Sequence, residues 1–95
     1  MITHVVFFKL KDRSPEIIEK TRQVLANMEG NVPRLLHIEV GTDILHQARS
    51  YDIALITKFA SLDDLHDYDT HPFHEEVKVY MKSVVDVSAS VDFES

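Results

Sequence analysis

The chain has 95 residues, 44% of them hydrophobic and 27% charged, with a formal net charge of -6. That length and balance describe one globular domain with a real core and exclude a disordered chain. The acidic charge argues against a generic nucleic-acid binder, which needs a basic patch, and the absence of cysteine excludes disulfides, thiolate metal sites and cysteine nucleophiles.

The opening segment from Met1 to Phe8 is apolar but short, has no basic residues ahead of it and runs straight into Lys9, Lys11 and Arg13. It reads as a strand and not as a secretion signal. No apolar run approaches the ~18 residues that cross a bilayer, so no membrane partner is expected and the expected location is cytoplasmic.

Thr3 to Leu10 is rich in Val and Phe, and both alternating sets, Val6/Phe8/Leu10 and Val5/Phe7, are apolar. This pattern predicts a strand buried on two faces. Ser14 and Pro15 supply an N-cap and a first-turn proline, and Ile17, Ile18, Thr21, Val24, Leu25 and Met28 follow at helical spacing. The helix is expected to end with Gly30 as a left-handed C-cap. From Leu36 to Thr42 apolar and polar residues alternate, which predicts an edge strand. His46 to Ser50 is a polar loop, and Tyr51 to Phe59, apolar on both sets, is a central strand like the first.

Ser61 and Asp64 have the spacing of a capping box and open a helix that should end near His71, since the residue before a proline is driven out of the helical region. Pro72 starts a further helical piece carrying Phe73, Val77, Tyr80, Met81 and Val84. The last stretch sets Val85, Val87, Ala89, Val91 and Phe93 against Asp86, Ser88, Ser90 and Asp92, a second edge strand. The order is β-α-β-β-α-β, a ferredoxin-like α+β fold with a four-stranded antiparallel sheet and one domain over residues 1–95. Two helical layers cover only one face of such a sheet. The apolar residues on the other face of the central strands call for a second copy of the chain, so a homodimer is expected.

Six histidines invite a metal reading through His66, His71, His74, Asp67 and Asp69, but His66 and His71 do not share a helical face and no H-x-x-x-H pair occurs. No metal site and no cofactor is expected. Glycine-rich phosphate loops, dinucleotide fingerprints and nucleophile elbows are absent. Acid-base chemistry by Tyr68, His71, His74 and His4 remains. His74 falls near the start of the helix opened by Pro72, where the helix dipole disfavours imidazolium, and Tyr68 sits one turn before His71 with its ring directed inward. His4 shares a strand face with Val6 and Phe8. The same residues also have a structural reading, as caps and satisfied core groups at a proline-broken helix, and the residues alone leave both open.

An opening His4-Val5-Val6-Phe7-Phe8-Lys9, a third strand from Tyr51-Asp52 to Phe59, the segment Leu65-x-x-Tyr68-x-x-His71-Pro72-x-His74 and a closing strand from Val85 to Phe93 resemble the stress-responsive A/B barrel (Dabb) family over Thr3 to Phe93. The resemblance implies a ferredoxin-like protomer and a dimeric α+β barrel. The family includes plant stress proteins and a plant cyclase that closes a linear tetraketide thioester by aldol chemistry, using a tyrosine and the last histidine of this segment. By that resemblance Tyr68 and His74 are the catalytic pair, His74 as the base and Tyr68 holding the carbonyl or enolate oxygen. His4, His71, Val6, Phe8 and Phe73 are the expected ligand-binding residues around a cleft for a carbonyl, aromatic or polyketide-like molecule. One departure is Ile53, where the cyclase has a further pocket histidine. The expected function is a homodimer with a small-molecule cleft, catalysing proton transfer or cyclisation. The alternative is a non-catalytic, stress-associated structural or interaction dimer. Related α+β barrels include cofactor-free monooxygenases, a third option.

Overall fold

The computed structural model describes all of residues 1–95, in the order β1 (Ile2–Leu10), α1 (Pro15–Ala26), β2 (His37–Thr42), β3 (Ile53–Phe59), α2 (Leu62–Thr70), α3 (Pro72–Val84) and β4 (Val85–Glu94). The four strands form one sheet in the order β2-β3-β1-β4 with every neighbouring pair antiparallel, so the two strands apolar on both sets are central. The topology is the ferredoxin-like one that the hydrophobic pattern predicts.

Register decides which side chains meet. Val6 lies opposite Leu55 and Phe8 opposite Ile53 on the face that receives the helices, while Val5 opposes Ile56 and Phe7 opposes Ala54 on the other. Ile53, Leu55, Thr57 and Phe59 are all buried. With Leu25, Met28, Tyr68, Val77 and Met81 they pack a core between sheet and helices, in which Phe59 alone stabilises by about 2 to 3 kcal/mol. On the far face Phe7, Val87, Val91 and Phe93 stay exposed.

Local signals explain the helix starts. Ser14 Oγ accepts from the Ile17 amide, Pro15 occupies the first turn, and Ser61 Oγ accepts from the Asp64 amide at 3.2 Å. The Asp64 carboxylate does not reach back to complete the box but faces Arg34 at 3.7 Å. Three boundaries differ from expectation. α1 stops at Ala26 with Asn27 as its cap, and Gly30, at φ +79, lies in the turns beyond. Leaving the helix early lets both Met28 and Val32 enter the core. β2 begins at His37 and β3 at Ile53, although the Leu36 amide still donates to Lys58 O and the Asp52 amide to Phe8 O.

Asp52 joins the two central strands at their shared end. Its carboxylate, 2% exposed, accepts from the Leu10 amide at 2.8 Å and from Arg13 Nε at 2.9 Å. Asp52→Ala strands a buried amide and should cost about 2 to 3 kcal/mol in urea unfolding, with Arg13→Ala costing about 1 kcal/mol because the half-exposed guanidinium leaves the carboxylate its amide partner. Equal losses would contradict this division.

Candidate functional site

The break between α2 and α3 is built by Pro72 and His71. His71 takes an extended conformation at ψ 137, its amide donates to Tyr68 O at 3.2 Å, and its Nδ1 accepts from the Phe73 amide at 3.1 Å. The chain is thereby re-aimed so that Tyr68 at the end of one helix and His74 at the start of the next lie ring against ring, 4.2 Å between centroids.

These rings roof a cavity of about 190 Å³ whose floor is His4, Val6 and Phe8 of β1. Leu25 and Met28 close it on the α1 side. The His4 ring stands edge-on to Tyr68 at 6.5 Å, and Phe59 packs on the far side of the tyrosine at 4.9 Å. Most of the lining is apolar, and His4, Tyr68 and His74 bring polar atoms into it.

Tyr68 is 1% exposed, and its hydroxyl donates to Met28 Sδ at 3.7 Å, a weak acceptor. Burial, aided by the Asp69 carboxylate, pushes the phenol well above its ordinary value, so it keeps its proton and acts as a donor. His74 Nδ1 lies 3.0 Å from the Asp69 carbonyl oxygen, which only accepts. Nδ1 therefore carries the proton and Nε2 the lone pair. Burial also lowers the His74 pKa, which keeps the ring neutral at pH 7. Desolvation is the leading cause of that shift.

The cavity thus brings together Tyr68, His74, His4, Val6 and Phe8. His71 and Phe73, also expected around the ligand, do not line it. The His71 imidazole is held as a helix cap and faces a separate hollow beside Arg34 and Asp67, while Phe73 points into a cleft with Val24 and Val77. Capping commits the His71 ring to the Phe73 amide, and Phe73 packs against the core outside the cavity wall. Two neighbours of these groups escaped sequence reading. Asp92 faces His4 across the β1–β4 ladder, and Lys78 stands at the cavity wall with its ammonium 3.2 Å from both Asp69 and Glu75. Lys78 was findable, since it follows His74 by one helical turn; Asp92 depends on strand register. Ile53, the departure noted above, is not in the cavity wall, where β3 contributes Leu55. No three of the His, Asp and Glu side chains converge as a metal-holding group, and no helix is long and apolar enough to cross a membrane.

Fold and cavity define a ferredoxin-like α+β protein with a mostly apolar pocket between its sheet and its helices, lined in part by Tyr68, His74 and His4. The stress-responsive A/B barrel domain matches residues 2–95, and the chain belongs to that Dabb family. Among solved structures it is similar to a dimeric ferredoxin-like protein from Bacteroides fragilis, at 27% identity and a TM-score of 0.84 over 99% of this chain and 95% of that one. A dimeric ferredoxin-like protein from Thermobifida fusca matches at 23% identity and TM-score 0.87, covering 99% and 90%. A hydroxynitrile lyase from Passiflora edulis matches at 18% identity and TM-score 0.83, covering 97% and 90%, a likeness of fold. Comparison with curated proteins finds no match.

The depressed His74 pKa has a pH signature. Below about pH 6.5, the value from which it is lowered, the unfolded chain binds more protons than the folded one. Stability from the neutral ring is complete above that pH and is lost as pH falls toward the folded-state value. Urea unfolding between about pH 7 and 5 should show a steeper loss for wild type than for His74→Gln; parallel curves would contradict a buried neutral imidazole.

Proposed function

We propose that the protein is a homodimer whose cavity binds a small carbonyl-bearing or aromatic molecule, on which Tyr68 and His74 perform cofactor-free proton transfer. The observation that carries this is the pairing of a neutral imidazole, its Nδ1 tied to the Asp69 carbonyl, with a buried phenol whose only acceptor is a thioether. A ligand carbonyl oxygen is a better acceptor than Met28 Sδ, so Tyr68 gains by turning to it. His74 Nε2, which makes no hydrogen bond in the structure, is the base for a proton on the neighbouring carbon. The chamber of about 190 Å³ suits the reacting end of a ligand, and the longer groove between α3 and β4, about 430 Å³, shares Phe8, Lys78 and Met81 with it and offers room for the remainder.

The dimer follows from the open sheet face, where Phe7, Val91 and Phe93 are exposed together with Val87. Related structures described as dimeric support it. The relative named as a hydroxynitrile lyase supports the compatibility of this fold with an enzyme. A competing non-catalytic reading draws on the depth of Tyr68 in the core cluster. It makes the opposite prediction for the variants below.

A thermal-shift screen against aromatic acids, β-diketones and polyketide-like thioesters separates the two. A ligand at 100 times its Kd adds about 2.7 kcal/mol, a rise on the order of 10 °C for a domain of this size. Tyr68→Phe should leave the unliganded Tm within a few degrees, since it loses one weak bond, yet bind about tenfold more weakly. No shift with any compound, or a Tyr68→Phe variant whose unliganded Tm falls sharply while its ligand shift is unchanged, would support the structural dimer. For the interface, Val91→Asp should convert a dimer to a monomer in sedimentation; a monomeric wild type would contradict the dimer.

A further inference from the structure

Glu75, Lys78, Val79 and Lys82 follow one another along α3 at the spacing of a single helical stripe, and that stripe forms one wall of the groove between α3 and β4. Val79 is 73% exposed, an apolar side chain that no other part of the chain covers. Met81 and Val85 extend the apolar surface, and Phe8 and Met81 belong to the chamber wall as well, so the two spaces adjoin. α3 passes into β4 at Val85 with no linker, so helix and strand converge at the Lys82 end.

Charge is distributed unevenly along this groove. Beside the chamber the Lys78 ammonium is 3.2 Å from both Asp69 and Glu75, and its charge is answered there. Lys82, one turn further on, lines the groove with no carboxylate within ion-pair distance. Glu75 is the one carboxylate in the lining, about 10 Å from Lys82 along the helix axis. An anion in the groove is therefore repelled from the chamber end and drawn to the far end. Lys82 also stands in the last turn of α3, where a cation offsets the helix dipole. That role explains a positive charge at this position and leaves the bare apolar strip leading to it without a purpose. A lone ammonium suits a single negative charge; the groove has no arginine fork, and the C-terminal end of α3 opposes a second negative charge.

We infer that the α3–β4 groove is a carboxylate-selecting subsite, in which Lys82 holds the terminal carboxylate of an amphipathic keto acid and Val79, Met81 and Val85 hold its chain. The ketone end then occupies the chamber. This rests on the ligand-binding reading of the chamber and specifies the class of ligand: a straight-chain acid whose carbonyl and carboxylate are about 12 Å apart, the rise from His74 to Lys82. Lys82 is a specificity-determining residue and takes no part in proton transfer.

The test is isothermal titration calorimetry at neutral pH with an oxodecanoic acid whose ketone is at the penultimate carbon, and with its methyl ester, which keeps the length and the ketone and loses the charge. Wild type should bind the acid about three- to fivefold more tightly than the ester. Added salt should erase most of that ratio, because the ammonium is exposed. Lys82→Met should bring the ratio to about one, Lys82→Glu should invert it, and Lys82→Arg should keep it. A purely structural role at the helix end would shift both affinities together and leave the ratio unmoved. Tyr68→Phe should weaken acid and ester alike. If wild type binds both compounds equally, or the ratio survives in Lys82→Glu, the groove assignment fails, and a loss of affinity in Tyr68→Phe still upholds the chamber. If the ratio follows Lys82 while Tyr68→Phe changes neither affinity, the carboxylate subsite stands and the chamber reading fails. If neither compound binds, both fail.

Discussion

Pro72 has no amide hydrogen, and inside one long helix its ring would collide with the carbonyl of Tyr68 four residues earlier. The chain resolves this by ending α2 at Thr70 and restarting at Pro72, with the freed Tyr68 carbonyl accepting from the His71 amide. The two groups that furnish the cavity stand on either side of that break. In an unbroken helix Tyr68 and His74 are six residues apart and point to different faces; across the bend their rings stack. The same bend turns His71 into a cap. A local steric constraint therefore sorts three neighbouring functional-looking residues into two that face the chamber and one that holds the junction.

The sheet imposes the second constraint. Helices over β1 and β3 give the central strands a buried side at Ile53, Leu55 and Phe59, but the other side of the same strands is equally apolar at Val5, Phe7 and Ile56. β4 reverses the usual arrangement for an edge strand. Its apolar row, Val87, Val91 and Phe93, lies on the face away from the helices, and its polar row lies on the helix side. That inversion is unfavourable for a monomer in water. It also supplies the carboxylate that meets His4, so the feature that prepares one face for association equips the other with charge.

Within the chamber, burial sets the chemistry more than any ion pair. It raises the Tyr68 phenol and lowers the His74 imidazole, so that at neutral pH the phenol keeps its proton and the imidazole is uncharged. Lys78 and Asp69 lie at the boundary and neutralise each other at 3.2 Å, which keeps net charge out of the chamber. The structure thereby holds a polar pair inside an apolar wall without leaving a buried side-chain polar atom unpaired.

Much of this is written in local pattern. Two-sided apolar strands, Ser14-Pro15, Ser61 and His71-Pro72 placed every element and the order of the strands, because steric and capping preferences act over a few residues. Tyr68, His74 and His4 were recognisable as chemistry-bearing groups, and alternation put His4 on the face of Val6 and Phe8. Other features required distance in three dimensions. The early end of α1 depends on where Met28 and Val32 find core space, and the exclusion of His71 and Phe73 depends on the exit angle at a cap. The partnership of Asp92 with His4 joins residues 88 positions apart through strand register. Periodicity tells which face a residue occupies, but register and burial determine what it meets there and which proton it holds, and those arise only when the whole sheet closes under its helices.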